Sequence, residues 1–292
     1  YSAAVDRLAT IVEESELLRV LWMACGFAPG LSHLDDSFEA FEPGIDRARV
    51  RLAGGRAIEA RLVLGADGRG SAVRAAAGFN AIETPYRQTA VVANFACAEP
   101  HRGVAHQWFT DEGVVALLPL PGAHVSLVWS APEALASELL ALGGDELASR
   151  VGARTQGRLG ALTRLGQAHG FDLCDLRVDR VVAHRLGLLG DAAHVVHPLA
   201  GQGLNLGLQD VAQLLKVLAE REDWRDPGDL VLLRRHERAR AEPVGLMRLT
   251  VNSLARLFET RNPAVRWVRN RGLDWVQATP PVKNLLIRRA MG

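Results

Sequence analysis

The stretch from Leu188 to Asp210 constrains the fold of this chain more than any other. An apolar run from Val181 to Leu189 reads as a strand, Gly190-Asp191 ends it, and the small Ala192 and Ala193 let a ligand approach the backbone. Gly201-Gln202-Gly203 then forms a turn that opens a helix expected from about Leu204 to Leu218. A strand ending in Gly-Asp presents a carboxylate suited to sugar-like hydroxyls. The unpaired N–H groups and positive dipole end of the following helix suit an electron-rich or anionic group. Strand, loop and helix in this succession require a fold that mixes α and β elements.

A second Gly/Asp segment lies upstream, at Gly65-Ala66-Asp67-Gly68-Arg69-Gly70-Ser71-Ala72-Val73-Arg74. It follows apolar-rich runs at Ala48 to Leu52 and Ala57 to Leu64, separated by Gly54-Gly55, which read as a hairpin whose second strand delivers Asp67 to a loop. The segments are separated by strand-like runs at Gln88 to Phe95, Val104 to Phe109, Val114 to Leu120 and His124 to Ser130, expected to form an antiparallel sheet. Helical spacing marks Asp6 to about Ala24, Pro132 to Leu142, Asp145 to Val151 and most of the chain after Asp229.

Together these motifs resemble the class A flavoprotein monooxygenases of the para-hydroxybenzoate hydroxylase fold. Gly190, Asp191, His194, Pro198, Gly201, Gly203, Asn205 and Asp210 match that family's Gly-Asp motif, and Gly65 to Arg74 match its Asp-Gly signature. The similarity extends through Leu8 to Glu14, Ala105 to Phe109, Ala116 to Leu120 and Pro281 to Leu286, and the wording Gly-Gln-Gly-Leu-Asn-Leu-Gly is typical of the ubiquinone-biosynthesis hydroxylases. The resemblance implies FAD as cofactor, NAD(P)H as reductant, and hydroxylation of a polyprenyl-phenol ring with O₂. It implies that Asp191 and Gly190 meet the flavin ribityl chain, that Pro198 borders the isoalloxazine ring, and that the amides of Gly201, Gln202, Gly203, Leu204 and Asn205 face its pyrimidine edge. Asp67, Gly68 and Arg74 are the expected second cofactor contact. The implied fold is a partial Rossmann-like FAD-binding domain over 1–82 and 179–228, interrupted by an antiparallel-sheet substrate domain over 83–178 and followed by a helical region over 229–292. Implied partners are the polyprenyl-phenol and other proteins of ubiquinone biosynthesis, with a homo-oligomer left open.

The chain departs from that family in one respect. No G-x-G-x-x-G loop with the correct strand-turn-helix spacing occurs, and without that pyrophosphate cradle FAD binding should be weak. The start at Tyr1 rather than Met leads to the expectation that an N-terminal portion was removed.

Composition narrows the alternatives. With 34 basic and 33 acidic residues the net charge is +1, so no global field draws nucleic acid. Cys25, Cys97 and Cys174 form no C-x-x-C pair, which favours reduced thiols in a cytoplasmic protein. His194 and His197 stand at a spacing that suits a metal, but no neighbouring ligand set completes it, and no metal is expected. His197 lines the active site or packs a loop, with equal support for each. On the sheet, Gln88, Val91, Trp108, Leu118 and Trp129 face either a substrate pocket or the core. The tail from Glu259 to Gly292, with seven basic residues against two acidic, reads either as an amphipathic helix for a membrane surface or a partner, peripheral on the inner membrane by the resemblance, or as one packed on its own domain. A non-catalytic member of a biosynthetic assembly and a hydroxylase of a soluble aromatic are the rival functions.

Overall fold

The computed structural model describes residues 9–198, 201–259 and Arg271. Its elements run α1 (Glu14–Phe27), β1 (Phe38–Glu42), β2 (Ala48–Leu52), β3 (Ala57–Ala60), β4 (Val63–Gly65), α2 (Ala72–Ala76), β5 (Ala81–Cys97), β6 (His106–Thr110), β7 (Gly113–Leu120) and β8 (His124–Pro132). There follow α3 (Glu133–Ala141), α4 (Gly144–Arg154), β9 (Leu162–Val178), β10 (Val182–Ala183), β11 (Leu186–Leu188), a 3₁₀ turn at Gly190–Ala192, β12 (His194–Val195), α5 (Gly203–Ala219) and α6 (Leu230–Glu259). This is the mixed α/β class that the motifs require. None of the described helices is long and apolar enough to cross a membrane.

Two compact units divide the chain. Among the described residues the first takes in 9–31, 88–171, 254–259 and Arg271. Its strands lie in the order β9-β5-β8-β7-β6, and β5-β8, β8-β7 and β7-β6 are antiparallel pairs. Alternation along these strands turns Val91, Ala93, Phe95, Val115, Leu117, Val125, Leu127 and Trp129 to one face, where α3 and α4 cover them with Ala136, Leu139, Leu147 and Val151. Trp129 satisfies its indole N–H on the Glu112 carbonyl, at 3.2 Å, which makes its burial tolerable. Helix α1 has no buried side chain.

The second unit takes in residues 32–87 and 172–253. One of its sheets is the meander β1-β2-β3, and the other has the order β10-β11-β4. In the latter β11 and β4 are parallel, with Leu186, Gly187 and Leu188 opposite Val63, Leu64 and Gly65. Helices α5 and α6 complete its cores through Leu214 and Leu233 on one side and Leu206, Val244 and Val251 on the other.

Several elements differ from their sequence pattern. The first helix begins at Glu14, because Ile11 and Val12 are β-branched and Glu13 is extended, with φ −68° and ψ 135°; Asp6 to Leu8 lie outside the described residues. The run from Ala57 to Leu64 is broken at Arg61-Leu62, so that β3 stays in the meander while β4 crosses to the second sheet. The run Val181 to Leu189 is likewise a tight hairpin, β10 to β11, turned by Arg185 at φ +61°. The 17-residue β9 matches no run singled out in the sequence, since Gly166 and Gly170 interrupt its alternation. The expected helix over the tail lies outside the described residues beyond Glu259, Arg271 apart.

Leu127 is fully buried at the centre of the first unit's core. Leu127→Ala is expected to cost about 3 kcal/mol, by lost transfer energy plus the cavity left behind. Urea unfolding followed by tryptophan fluorescence measures it.

Candidate functional site: the loops at the ends of two parallel strands

Parallel pairing carries both Gly/Asp segments to the same end of one sheet. Because Leu188 lies opposite Gly65, the chain leaves β4 into Ala66-Asp67-Gly68 and leaves β11 into Leu189-Gly190-Asp191 side by side. The Leu189 N–H donates to the Gly65 carbonyl at 2.9 Å, which extends the pairing into the loops. Crevices outside the carboxyl ends of parallel strands are where open α/β sheets bind ligands.

Asp67 and Arg74 direct their polar atoms inward. The Asp67 carboxylate accepts from the Ser71 hydroxyl at 2.6 Å and from the Val73 N–H at 3.1 Å, and Ser71 in turn caps α2 by accepting from the Arg74 N–H at 2.9 Å. Desolvation opposes ionisation of Asp67, yet the bonds from Ser71 and Val73 hold its carboxyl below the usual value. The Arg74 guanidinium donates to the Ala192 carbonyl at 2.9 Å and to the Arg69 carbonyl at 2.6 Å, which ties one motif loop to the other. Gly68, at φ +79°, provides the turn between them.

The Gly190–Asp191 loop is held by a buried hub. Asp210, on α5 and 2% exposed, accepts from the Gly190 N–H at 3.0 Å, from the His194 Nε2–H at 2.8 Å and from the Arg240 Nε–H at 2.6 Å. Burial would raise its carboxyl, but these three donors bring it below the ordinary carboxylate value. Gly190 sits at φ +57°, in the left-handed region, and a side chain at Gly207 on α5 would begin 3.3 Å from the Gly190 Cα. Helix and loop thus approach to a distance that two glycines allow.

Asp191 follows as an exposed carboxylate with no hydrogen-bond partner among the described residues. Desolvation by its surroundings pushes its carboxyl upward, and His194 pulls the other way. Further on, Gly201 takes φ +60°, and Gln202 is the N-cap residue of α5. The Asn205 amide donates to the Gln202 side-chain oxygen at 2.9 Å. The first intrahelical acceptor bond is Leu206 N–H to the Gln202 carbonyl, so the N–H groups of Gly203, Leu204 and Asn205 have no helix partner. A Cβ added at Gly201 or Gly203 would meet nothing within 4 Å, so there is open space beside the backbone at these two positions. The free carboxylate, the free amides and that space fit the polar edge and hydroxylated chain of a flavin.

Other candidates fall elsewhere. His197 is buried against Tyr86, ring edge to face at 4.6 Å, and burial lowers its imidazole to about 4, so it is neutral at physiological pH. Tyr86, raised by burial to about 12, donates to the Asn252 side-chain oxygen on α6. On the other unit, Trp108 lies opposite Val115 and packs on the core, Val91 and Trp129 lie within it, and Leu118 belongs to the opposite face. Alternation alone did not assign these faces. Arg185, Arg240 and Tyr86 escaped the sequence reading because each serves a partner far away in the chain.

The FAD binding domain family matches residues 33–244. The chain is 36% identical over 284 residues to the ubiquinone hydroxylase UbiL of Rhodospirillum rubrum, which covers 97% of this chain and 66% of that protein. It is 31% identical over 287 residues to the 3-demethoxyubiquinol 3-hydroxylase of Escherichia coli, covering 98% of this chain and 73% of that one. The chain belongs to the FAD-dependent ubiquinone-biosynthesis hydroxylase family. It spans about two thirds of the length of the UbiL relative, slightly less than that fraction. Its fold is also that of the p-nitrophenol 4-monooxygenase PnpA from Pseudomonas putida, with a TM-score of 0.75 at 18% identity over 96% of this chain and 72% of that one. Within the family's FAD-binding region lie both motif loops and the Asp210 hub.

Asp210→Asn removes the charge that His194 and Arg240 share. The expected loss is about 3 kcal/mol, because buried donors are left without an ionised acceptor. Since the folded-state pKa of Asp210 is depressed, its stabilisation is fully present above the unfolded value of about 3.9 and is lost as pH falls through the lower folded value. Wild-type and Asp210→Asn stabilities should therefore converge in acid when measured by urea unfolding across pH.

Proposed function

We propose that the protein hydroxylates the aromatic ring of a polyprenyl-phenol in ubiquinone biosynthesis, using FAD, NAD(P)H and O₂. The observation that carries this reading is the unpartnered Asp191 carboxylate, set beside the open N-terminus of α5 by the pairing of β4 with β11. The names of the two bacterial relatives, a ubiquinone hydroxylase and a 3-demethoxyubiquinol 3-hydroxylase, favour a prenylated phenol over a soluble one. The second unit is then the FAD-binding part, and the sheet of the first is the substrate part.

Flavin bound at these loops and reduced by NAD(P)H supplies the activation of O₂ and the transfer of one oxygen atom to the ring. The chain's own residues bind and orient. Asp191 would accept hydrogen bonds from the ribityl hydroxyls, and the amides of Gly203, Leu204 and Asn205 would donate to the pyrimidine edge, where the dipole of α5 favours negative charge. Pro198 would border the ring, next in the chain to His197, which packs edge to face on Tyr86. Asp67 and Arg74 act at one remove, by holding the Asp-Gly loop against the Ala192 carbonyl. No side chain needs to act as a nucleophile, because the oxygen transfer belongs to the flavin. The surface of the inner membrane is the expected place of work, since the substrate's tail is lipid.

Asp191→Ala should lower FAD retention by tenfold or more while the far-ultraviolet circular dichroism and unfolding midpoint stay at wild-type values. Flavin absorbance after gel filtration measures the first. Unchanged flavin content would remove Asp191 from the site. Activity is checked by supplying FAD, NAD(P)H and a short-chain prenyl-phenol under isotopically labelled O₂. Incorporation of one labelled oxygen into the ring is the expected result.

A further inference from the structure

Beside the Gly-Asp loop the second unit forms a half-open cavity of about 240 Å³. Val178, Val181, Leu188, Ala193 and Val244 give it apolar walls, and α6 contributes His236. This volume lies below that of sites for drug-sized ligands, so its occupant is a small molecule. His236 is 2% exposed and its Nδ1 has no hydrogen-bond partner among the described residues. Leaving such a nitrogen unpaired costs about 1–3 kcal/mol, which a ligand atom that meets it recovers. Burial holds the imidazole below its ordinary pKa, with Asp210 pulling it up and Arg240 down, so the ring is a neutral hydrogen-bonding group.

The charges around the cavity define the ligand further. Arg177 and Arg248 are both paired to Asp175, and Arg240 to Asp210. The carboxylates of Asp179 and Glu237 are taken up by Asn80 and by the Val181 N–H. Arg180 lies with its guanidinium 4.9 Å from the centre of the Phe79 ring and has no carboxylate partner among the described residues. One guanidinium without an ion pair, beside apolar walls, suits a single negative charge on an apolar body. A phosphate dianion would bring more charge than this site matches and nothing to cover the walls.

We propose that this cavity is a binding site for a small monocarboxylate with a compact apolar body, recognised by Arg180 and the Nδ1 of His236. Its occupant also touches the hub, because His194, Asp210 and Arg240 line the same cavity and Asp210 holds the Gly190 N–H. Occupancy therefore bears on the loop that presents Asp191. The effect on flavin rests on the proposed function above, whereas the binding does not.

Benzoate serves as the probe, with the chain selectively labelled with ¹⁵N-histidine. Saturable binding by calorimetry, with the His236 ring resonances moving and those of exposed His184 staying still, is the expected result. Arg180→Gln should weaken binding roughly tenfold or more, the worth of a charge-assisted hydrogen bond, and His236→Phe should weaken it as well. Arg180 is exposed, so its variant should fold even if His236→Phe does not. Absence of saturable binding, binding unchanged in Arg180→Gln, or inorganic phosphate binding as tightly as benzoate would each overturn the proposal. FAD retention is then compared with and without benzoate. Benzoate binding in a chain that retains no flavin would leave this site standing and count against the flavin reading.

Discussion

A carboxylate taken out of water costs several kcal/mol unless its oxygens are met by well-placed donors, and Asp210 is such a group. Its oxygens are met by Arg240 from α6, His194 from the strand after the loop, and the Gly190 N–H from the loop itself. The donors come from separate parts of the chain, so satisfying the charge requires all of them in register. The loop conformation is in this sense a condition for burying Asp210. Because Gly190 is fixed from behind, Asp191 has no hydrogen bond of its own to make and remains available to a ligand.

Guanidinium groups repeat this logic around the second unit. Arg185, 3% exposed, donates to the carbonyls of Ile45 and Arg61 and to Asp226, gathering loops that the sequence sets far apart. Arg74 does the same between the two motif loops, and Arg248 between α6 and Asp175 on β9. Loops at the ends of short parallel strands carry carbonyls that no ladder satisfies, and a planar fork with five donors is well suited to them. Rigid loops position backbone amides well, and such amides serve a planar heteroaromatic ligand better than mobile side chains do.

How much of this the sequence disclosed follows from the range of each interaction. The helix at Gly203 and the strands β6, β7 and β8 are governed by local spacing and turn residues, and the residue pattern located them closely. The split of Ala57 to Leu64 into two strands, and of Val181 to Leu189 into a hairpin, depends on which sheet each half joins. No local pattern contains that choice. Strand β9 was hidden because its glycines interrupt the period on which its recognition depends. At the site, Asp191 and the Gly-Gln-Gly turn were legible because motif and mechanism coincide in a few consecutive residues. Asp67 and Arg74 were legible as a motif, but their inward bonds to Ser71, Val73 and Ala192 were not. His236 and Arg180, 56 residues apart, carry no motif, and only the folded chain brings them to one cavity.

The claim on which the account depends is that a flavin meets this protein at the two loops at the ends of β4 and β11. Hydrogen exchange of the backbone amides, followed by mass spectrometry with and without FAD, tests it most directly. Slowed exchange is expected in peptides covering 188–206, with a smaller effect over 65–74 and none in the core strands β7 and β8. Protection by FAD that leaves 188–206 unchanged would contradict it.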